Sequence, residues 1–393
     1  MKSVFNKPQI EVTAQLLHQY FDSHPHPFEP EKFIDIASDK LEQRELKDRS
    51  EQIVIALFKT LPDCYSEAIA ALTTVLLPVS DNQDLKEVTT TEEGVAGWMI
   101  MPFTEYVGRR GVQEQSLKIN TAVSTAPEAD YQPLVLALEA QKQLTKRFTS
   151  EFGIRHLLIE YPSKCLKIME SWCLDSCHHV RRLVSEGTRP LLPWAMQLPE
   201  FKENPDWIST HLGTLRNDES EYVRRSVANH LNDISKSYPE NVNEIAQKWL
   251  SESNSNNKLR MVKHACRSLI KAGNVDTLRL FGFSDPKGLV SEVHLNKAIV
   301  KVGECIDLSL NIKESKMPLL VDYKVYHLRG RGQHIGKVFK WKEIKAPEKE
   351  IKLTKSHSFK PINTRRYYSG THYIEVLING VSQGKQSFEV IAD

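Results

Sequence analysis

The hydrophobic rhythm of the chain changes once. From about Ile10 to Phe283 apolar residues recur at helical spacing, and beyond Leu289 they alternate or gather into short runs. In Glu51–Leu61 the residues Ile53, Ile55, Ala56 and Leu57 fall near one helical face, and the pattern stops at Pro62 because proline disfavours a helical residue before it. The same reading predicts helices over Ser66–Leu76, Pro133–Thr149, Glu151–Glu160, Pro205–Leu215, Tyr222–Ile234, Glu240–Ser251 and Lys258–Lys271, and a helical unit over Ser163–Glu186. The polar, Thr-rich stretch Asp81–Gly97 reads as a loop or a poorly ordered insertion. Gly, Ser, Asp and Pro cluster into a linker at Phe281–Leu289. After it come about seven short strand patterns, with turn chemistry at Asn379-Gly380 and Gly330–Gly332. The expected fold is therefore mostly α: a HEAT-like α-α superhelical solenoid over residues 1–284, followed by a small all-β immunoglobulin-like sandwich over 289–393.

A repeat supports the solenoid. His179–Trp194 reads HVRRLVSEGTRPLLPW, and its first half returns at Tyr222–Asp233 as YVRRSVANHLND, with Val180 and Val223 separated by 43 residues. Val227–Leu231 (VANHL) returns at Ala265–Leu269 (ACRSL) after 38 residues. Both periods suit two-helix HEAT-type units, whose stacking would line basic and acidic residues along one face. Charge adds a second division: residues 289–393 hold 14 Lys and 4 Arg against 8 Glu and 3 Asp, so a net charge of +2 for the whole chain hides a basic tail. Neither a signal peptide nor an apolar run of about 18 residues is seen, which predicts a soluble, cytoplasmic protein that does not enter membranes. The six cysteines lack a disulfide-framework spacing and read as reduced.

The phosphate-loop, dinucleotide, zinc-protease and nucleophile-elbow motifs are all missing, so no cofactor and no metal is expected. What remains is a set of acids on consecutive repeats, Glu151, Glu186 and Asp233, with Arg189 and Trp194 beside them. Convergent carboxylates next to an aromatic suit the stabilisation of positive charge. An exposed acid on a helix is also an ordinary surface feature. Open acids around a cleft with Trp194 would favour an enzyme, and acids each paired with an arginine would favour a non-catalytic scaffold. Arg181, Arg182, Arg224 and Arg225 suit phosphate contacts or inter-repeat ion pairs equally. Cys173 and Cys177 share a helix face near His178 and His179, a partial zinc pattern that also fits buried small side chains. Trp172 reads as core, and His156 and His230 as structural histidines.

RFTSEFGIRHLL (Arg147–Leu158), the two VRR segments and VKHACRSLIKAG (Val262–Gly273) resemble the AlkC family of DNA alkylation-repair glycosylases, within the HEAT-like superfamily that also contains AlkD. The resemblance covers most of residues 45–285, and NTRRYYSGTHYIEVLINGV (Asn363–Val381) resembles the immunoglobulin-like domain of a subset of that family. It implies monofunctional removal of N3-methylated bases, 3-methyladenine and 3-methylcytosine, from double-stranded DNA by a monomer, without flipping the lesion into a deep pocket. It also assigns Glu151, Glu186 and Asp233 to catalysis, Trp194 to the cationic base or its sugar, and Arg189 to a phosphate or a carboxylate. Arg365, Arg366, Tyr367 and Tyr368 become candidates for DNA contact, against the alternative that the two tyrosines merely alternate across a strand. Leu191 departs from the family pattern, where a basic residue is expected. The competing readings are a non-catalytic HEAT scaffold and a DNA-binding protein without activity.

Overall fold

Helices fill the first part of the chain and strands the last, in a computed structural model that describes residues 2–78, 85, 87–121, 131–252, 255–345, 350–363 and 365–392. The contacts divide the chain into two compact units, Met1–Ser237 and Tyr238–Asp393. The last helices, from Pro239–Glu252 onward, therefore group with the strands.

In the first unit the predicted helices appear as Leu46–Thr60, Tyr65–Thr74, Gln132–Leu144, Ile154–Glu160, Ser209–Leu215 and Glu221–Ile234. The Ser163–Glu186 pattern splits into Pro162–Trp172 and His178–Gly187, because the Asp175 carboxylate accepts from the Cys177 amide at 2.9 Å and turns the chain. Of the expected loop Asp81–Gly97, residues 81–84 and 86 lie outside the described residues, and Thr91 and Gly94 form an isolated antiparallel bridge. The 22-residue helix Ile100–Thr121 was not among the predicted elements. Two glycines interrupt its apolar pattern, and they have a packing reason: a Cβ on Gly108 would lie 2.1 Å from the Gly153 carbonyl, and one on Gly111 would lie 2.7 Å from the Ala137 Cβ. Gly153 in turn abuts the Thr104 carbonyl, so the chain around Glu151 is seated directly on a helix backbone.

The repeat is visible in three dimensions. The helices His178–Gly187 and Glu221–Ile234 pack side by side, with Val180, Val184, Val223 and Val227 fully buried. Each such side chain contributes roughly 1.5–3 kcal/mol through burial. The first arginine of each VRR holds the loop before its helix. Arg181 Nη1 donates to the carbonyls of Asp175 and Ser176 at 2.8 and 2.9 Å, and Arg224 Nη1 donates to those of Asp218 and Glu219 at 2.5 and 2.8 Å. Asp175 and Asp218 are themselves 43 residues apart, each tied to a base, Lys142 and Arg181 respectively.

The second unit carries strands β1 (Ser291–Leu295), β2 (Ile299–Lys301), β3 (Cys305–Ile312), β4 (Leu319–Leu328), β5 (His334–Ile344), β6 (Ile351–Ser358), β7 (Gly370–Ile378) and β8 (Val381–Ile391). They form a three-stranded sheet, β1-β3-β6, and a five-stranded sheet, β2-β8-β7-β4-β5. Alternate side chains such as Ile306, Leu308, Leu310, Val325, Val376 and Phe388 fill one buried core. Asn379 and Gly380 take φ of 46° and 79° in the predicted turn between β7 and β8. The Asn379 side chain also accepts from the Leu320 amide at 2.7 Å and donates to the Ser284 carbonyl at 2.8 Å. Leu278 and Phe283 from the helical segment pack on Leu320 of β4.

Candidate active site

The first unit brings the three acids together through two arginines. Arg182 Nη1 lies 2.5 Å from Glu151 Oε2 and donates to Thr149 Oγ1 at 2.7 Å, while its Nη2 lies 3.4 Å from Glu186 Oε1. Arg189 Nη1 donates to the same Glu186 oxygen at 2.7 Å, and Arg189 Nε donates to Asp233 Oδ2 at 2.9 Å. The result is an unbroken row of alternating charge, Glu151–Arg182–Glu186–Arg189–Asp233, with Lys236 at its end, 3.5 Å from Asp233 Oδ1. Glu186 and Asp233 are almost wholly buried, Glu151 less so. Burial opposes the charge on Glu186, yet Arg182, Arg189 and the Ser226 hydroxyl, which donates to Oε2 at 2.6 Å, hold its carboxyl below the usual carboxylate range. Glu151 Oε1 has no hydrogen-bond partner among the described residues, because both of its contacts fall on Oε2.

Glu151 stands in the turn before Ile154–Glu160 rather than on a helix, and Glu186 and Asp233 close the last turns of their helices. Arg155, which the sequence reading passed over, supports the arrangement. Fully buried, it donates to the carbonyls of Gly187, Arg189 and Met196 at 2.8, 2.9 and 2.6 Å. Burial pulls its pKa down to about 10, so the guanidinium still carries its charge at neutral pH. These three bonds pin both ends of the segment that presents Trp194. Trp194 is 62 % exposed, takes φ of 68°, and its carbonyl accepts from Lys47 Nζ.

The remaining candidates separate clearly. Arg181 is buried and makes a two-bond ion pair with Asp218 at 2.6 and 2.9 Å, so it serves the inter-repeat contact. Arg182 stands in the acid row with its guanidinium 5.0 Å from the Tyr222 ring, and Arg224 holds its loop. Arg225 is exposed, with no ion pair among the described residues. Trp172, Cys173 and Cys177 are buried. His230 is fully buried and donates from Nδ1 to the Ser185 carbonyl at 2.9 Å, and burial lowers its pKa to about 4. His156 bonds Glu105 at 2.8 Å. In the second unit Tyr367 is buried in the sandwich core and Tyr368 half-buried. Arg365 donates to His327 Nε2 at 2.7 Å, and Arg366 is exposed, 5.4 Å from the Tyr368 ring. Among the described residues no cluster of three or more His, Cys, Asp or Glu has the geometry to hold a metal, and no helix is long and apolar enough to cross a membrane.

Residues 289–392 match the family described as the C-terminal Ig-like domain of the uncharacterised protein YhaZ. The chain is 30 % identical over 394 residues to YhaZ of Bacillus subtilis (strain 168), covering 99 % of each. It also resembles the structure of Pseudomonas fluorescens alkylpurine DNA glycosylase AlkC bound to DNA containing an abasic site analog. That likeness has a TM-score of 0.81 at 28 % identity and covers 100 % of this chain and 99 % of that one. The chain belongs to the AlkC family of HEAT-like repeat proteins, in the subset that carries a C-terminal immunoglobulin-like domain.

Proposed function

We propose that this protein is a monofunctional DNA glycosylase that hydrolyses the N-glycosidic bond of N3-alkylated bases, 3-methyladenine and 3-methylcytosine, in double-stranded DNA. The observation that carries this reading is the full-length likeness to AlkC held on abasic DNA. Chemistry makes it economical. Alkylation at N3 leaves the base positively charged, so the bonding electron pair departs with the base and neutralises it, while C1′ of the sugar becomes oxocarbenium-like. Water then adds at C1′ and passes a proton to a carboxylate. No strong acid is needed. Anionic oxygens fixed beside C1′ suffice, and two unit charges about 4 Å apart at an effective dielectric of 20 interact by roughly 4 kcal/mol. Glu151, with Oε1 uncommitted among the described residues, and Asp233, whose Oδ1 has only a 3.5 Å lysine contact among them, are the oxygens suited to this work. Trp194 suits the face of the cationic base.

The arginine pairing of all three acids favours the scaffold alternative, because each paired cation cancels part of the carboxylate field. Against it, the row holds the carboxylates in fixed positions, which stabilisation of a developing cation requires. Methylated duplex DNA incubated with the protein should release 3-methyladenine, measured by mass spectrometry. Folded Glu151→Gln and Asp233→Asn variants should be slower by about 10²-fold or more. DNA binding without release of any alkylated base would instead establish the scaffold.

A further inference from the structure

Next to Trp194 the first unit holds a second group of polar side chains that the acid row does not use. A cavity of about 370 Å³ is lined by Ser50, Glu51, Glu105, Arg109 and His156, with Phe152, Met101, Met196 and Trp194 as apolar walls. Its charges are mutually occupied. Arg109 donates to both Glu51 oxygens at 2.8 and 2.7 Å and lies 3.3 Å from Glu105, which also bonds His156 Nε2 at 2.8 Å. Burial opposes the Glu105 charge, but His156 and Arg109 hold its carboxyl below the usual range. Lys47, also at the rim, is engaged with the Trp194 carbonyl. An anion would have to displace the two-bond Arg109–Glu51 pair to find a cation, so phosphate is a poor occupant. Ser50 is different: the residue is 3 % exposed, and its buried hydroxyl has no hydrogen-bond partner among the described residues. A buried hydroxyl left unpaired costs roughly 1–3 kcal/mol, which an occupant able to bond it would recover.

We infer that this cavity receives a planar, amino-bearing heteroaromatic ring, the free nucleobase released by excision. The inference rests on the glycosylase reading for the identity of the ring. Flat apolar surfaces from Phe152 and Trp194 suit stacking, the paired carboxylates keep lone pairs for an exocyclic amine, and Ser50 can bond a ring nitrogen. Phe152 directly follows Glu151, and Trp194 belongs to the loop pinned by Arg155, so a base leaving the acid row has aromatic side chains on its way out.

Calorimetric titration of the DNA-free, full-length protein with 3-methyladenine should give saturable one-site binding. Ser50→Ala should weaken it about 5- to 10-fold, the effect of one buried hydrogen bond. Glu105→Gln, which keeps the shape and removes the charge, should weaken it as well, with folding of each variant checked by circular dichroism. Added 3-methyladenine should also slow excision from methylated DNA in the wild type, and higher concentrations should be needed in Ser50→Ala. Excision with no base binding, or binding unchanged in both folded variants, overturns the cavity assignment while leaving the glycosylase reading intact. Binding that weakens in both variants, from a protein that releases no base, keeps the cavity as a heteroaromatic site and removes the enzymatic explanation.

Discussion

The acid row of the first unit and the histidine cluster of the second bury polar groups in opposite ways. In the row every buried charge touches its opposite, from Glu151 to Asp233. In the sandwich His327, His357 and His372 lie within one aromatic cluster, and each has a buried ring nitrogen with no partner among the described residues. Arg365 can only donate, so His327 Nε2 accepts and its proton sits on the unpaired Nδ1. His372 donates from Nε2 to the Tyr368 carbonyl, leaving its Nδ1 bare. One region keeps its groups charged by pairing them. The other keeps them neutral by excluding water, and the two should fail under different insults.

The largest effect is expected from breaking the row. Arg189→Ala strands Glu186 and Asp233 without their shared cation and should cost about 3–5 kcal/mol in a urea unfolding experiment. A loss under 1 kcal/mol would mean that the row is not a coupled unit. Acid should instead find the sandwich. Burial first, then the nearby Arg365 charge, lowers the pKa of His327 to about 3 and of His357 to about 4. The unfolded chain, with histidines near 6.5, therefore takes up protons before the folded one does. Stability from these residues is complete above about pH 6.5 and falls as the pH drops toward 4. The unfolding midpoint should be lower at pH 5 than at pH 7.5, and His327→Phe should flatten the difference. A midpoint independent of pH in the wild type would contradict the assignment. The smallest effect is on Arg225, exposed and unpaired: Arg225→Ala should leave stability unchanged and reduce the salt slope of DNA binding by about one. An unchanged slope would remove it from the DNA contacts.

Sequence pattern carried the helices whose apolar residues recur without interruption, and the Asn379-Gly380 turn, where local chemistry decides the conformation. It lost Ile100–Thr121 because Gly108 and Gly111 are explained by a neighbouring backbone that no period records. The repeat revealed which helices are equivalent, but not which arginine reaches which acid. The division between Arg181 and Arg182 becomes legible only when Asp175 and Asp218 are included in the repeat, each six positions before its loop-holding arginine. The composition change at Phe281–Leu289 marks where helices give way to strands, whereas the contacts divide the chain after Ser237. Removing Leu289–Asp393 would uncover Leu278 and Phe283, so Arg366→Glu is the cleaner probe of DNA contact by the tail.

Trp194 has a consequence for how such a chain evolves. Its φ of 68° suits glycine, and a side chain with a Cβ is held there at a cost of about 1–2 kcal/mol. Trp194→Gly should therefore melt at a higher temperature than the wild type. Selection for heat resistance alone would discard the indole, whereas, on the proposed glycosylase function, selection for survival of methylating agents would retain it against the backbone's preference. A laboratory lineage passed through both regimes should record the conflict at this single codon, with the residue found there reporting which demand was last imposed.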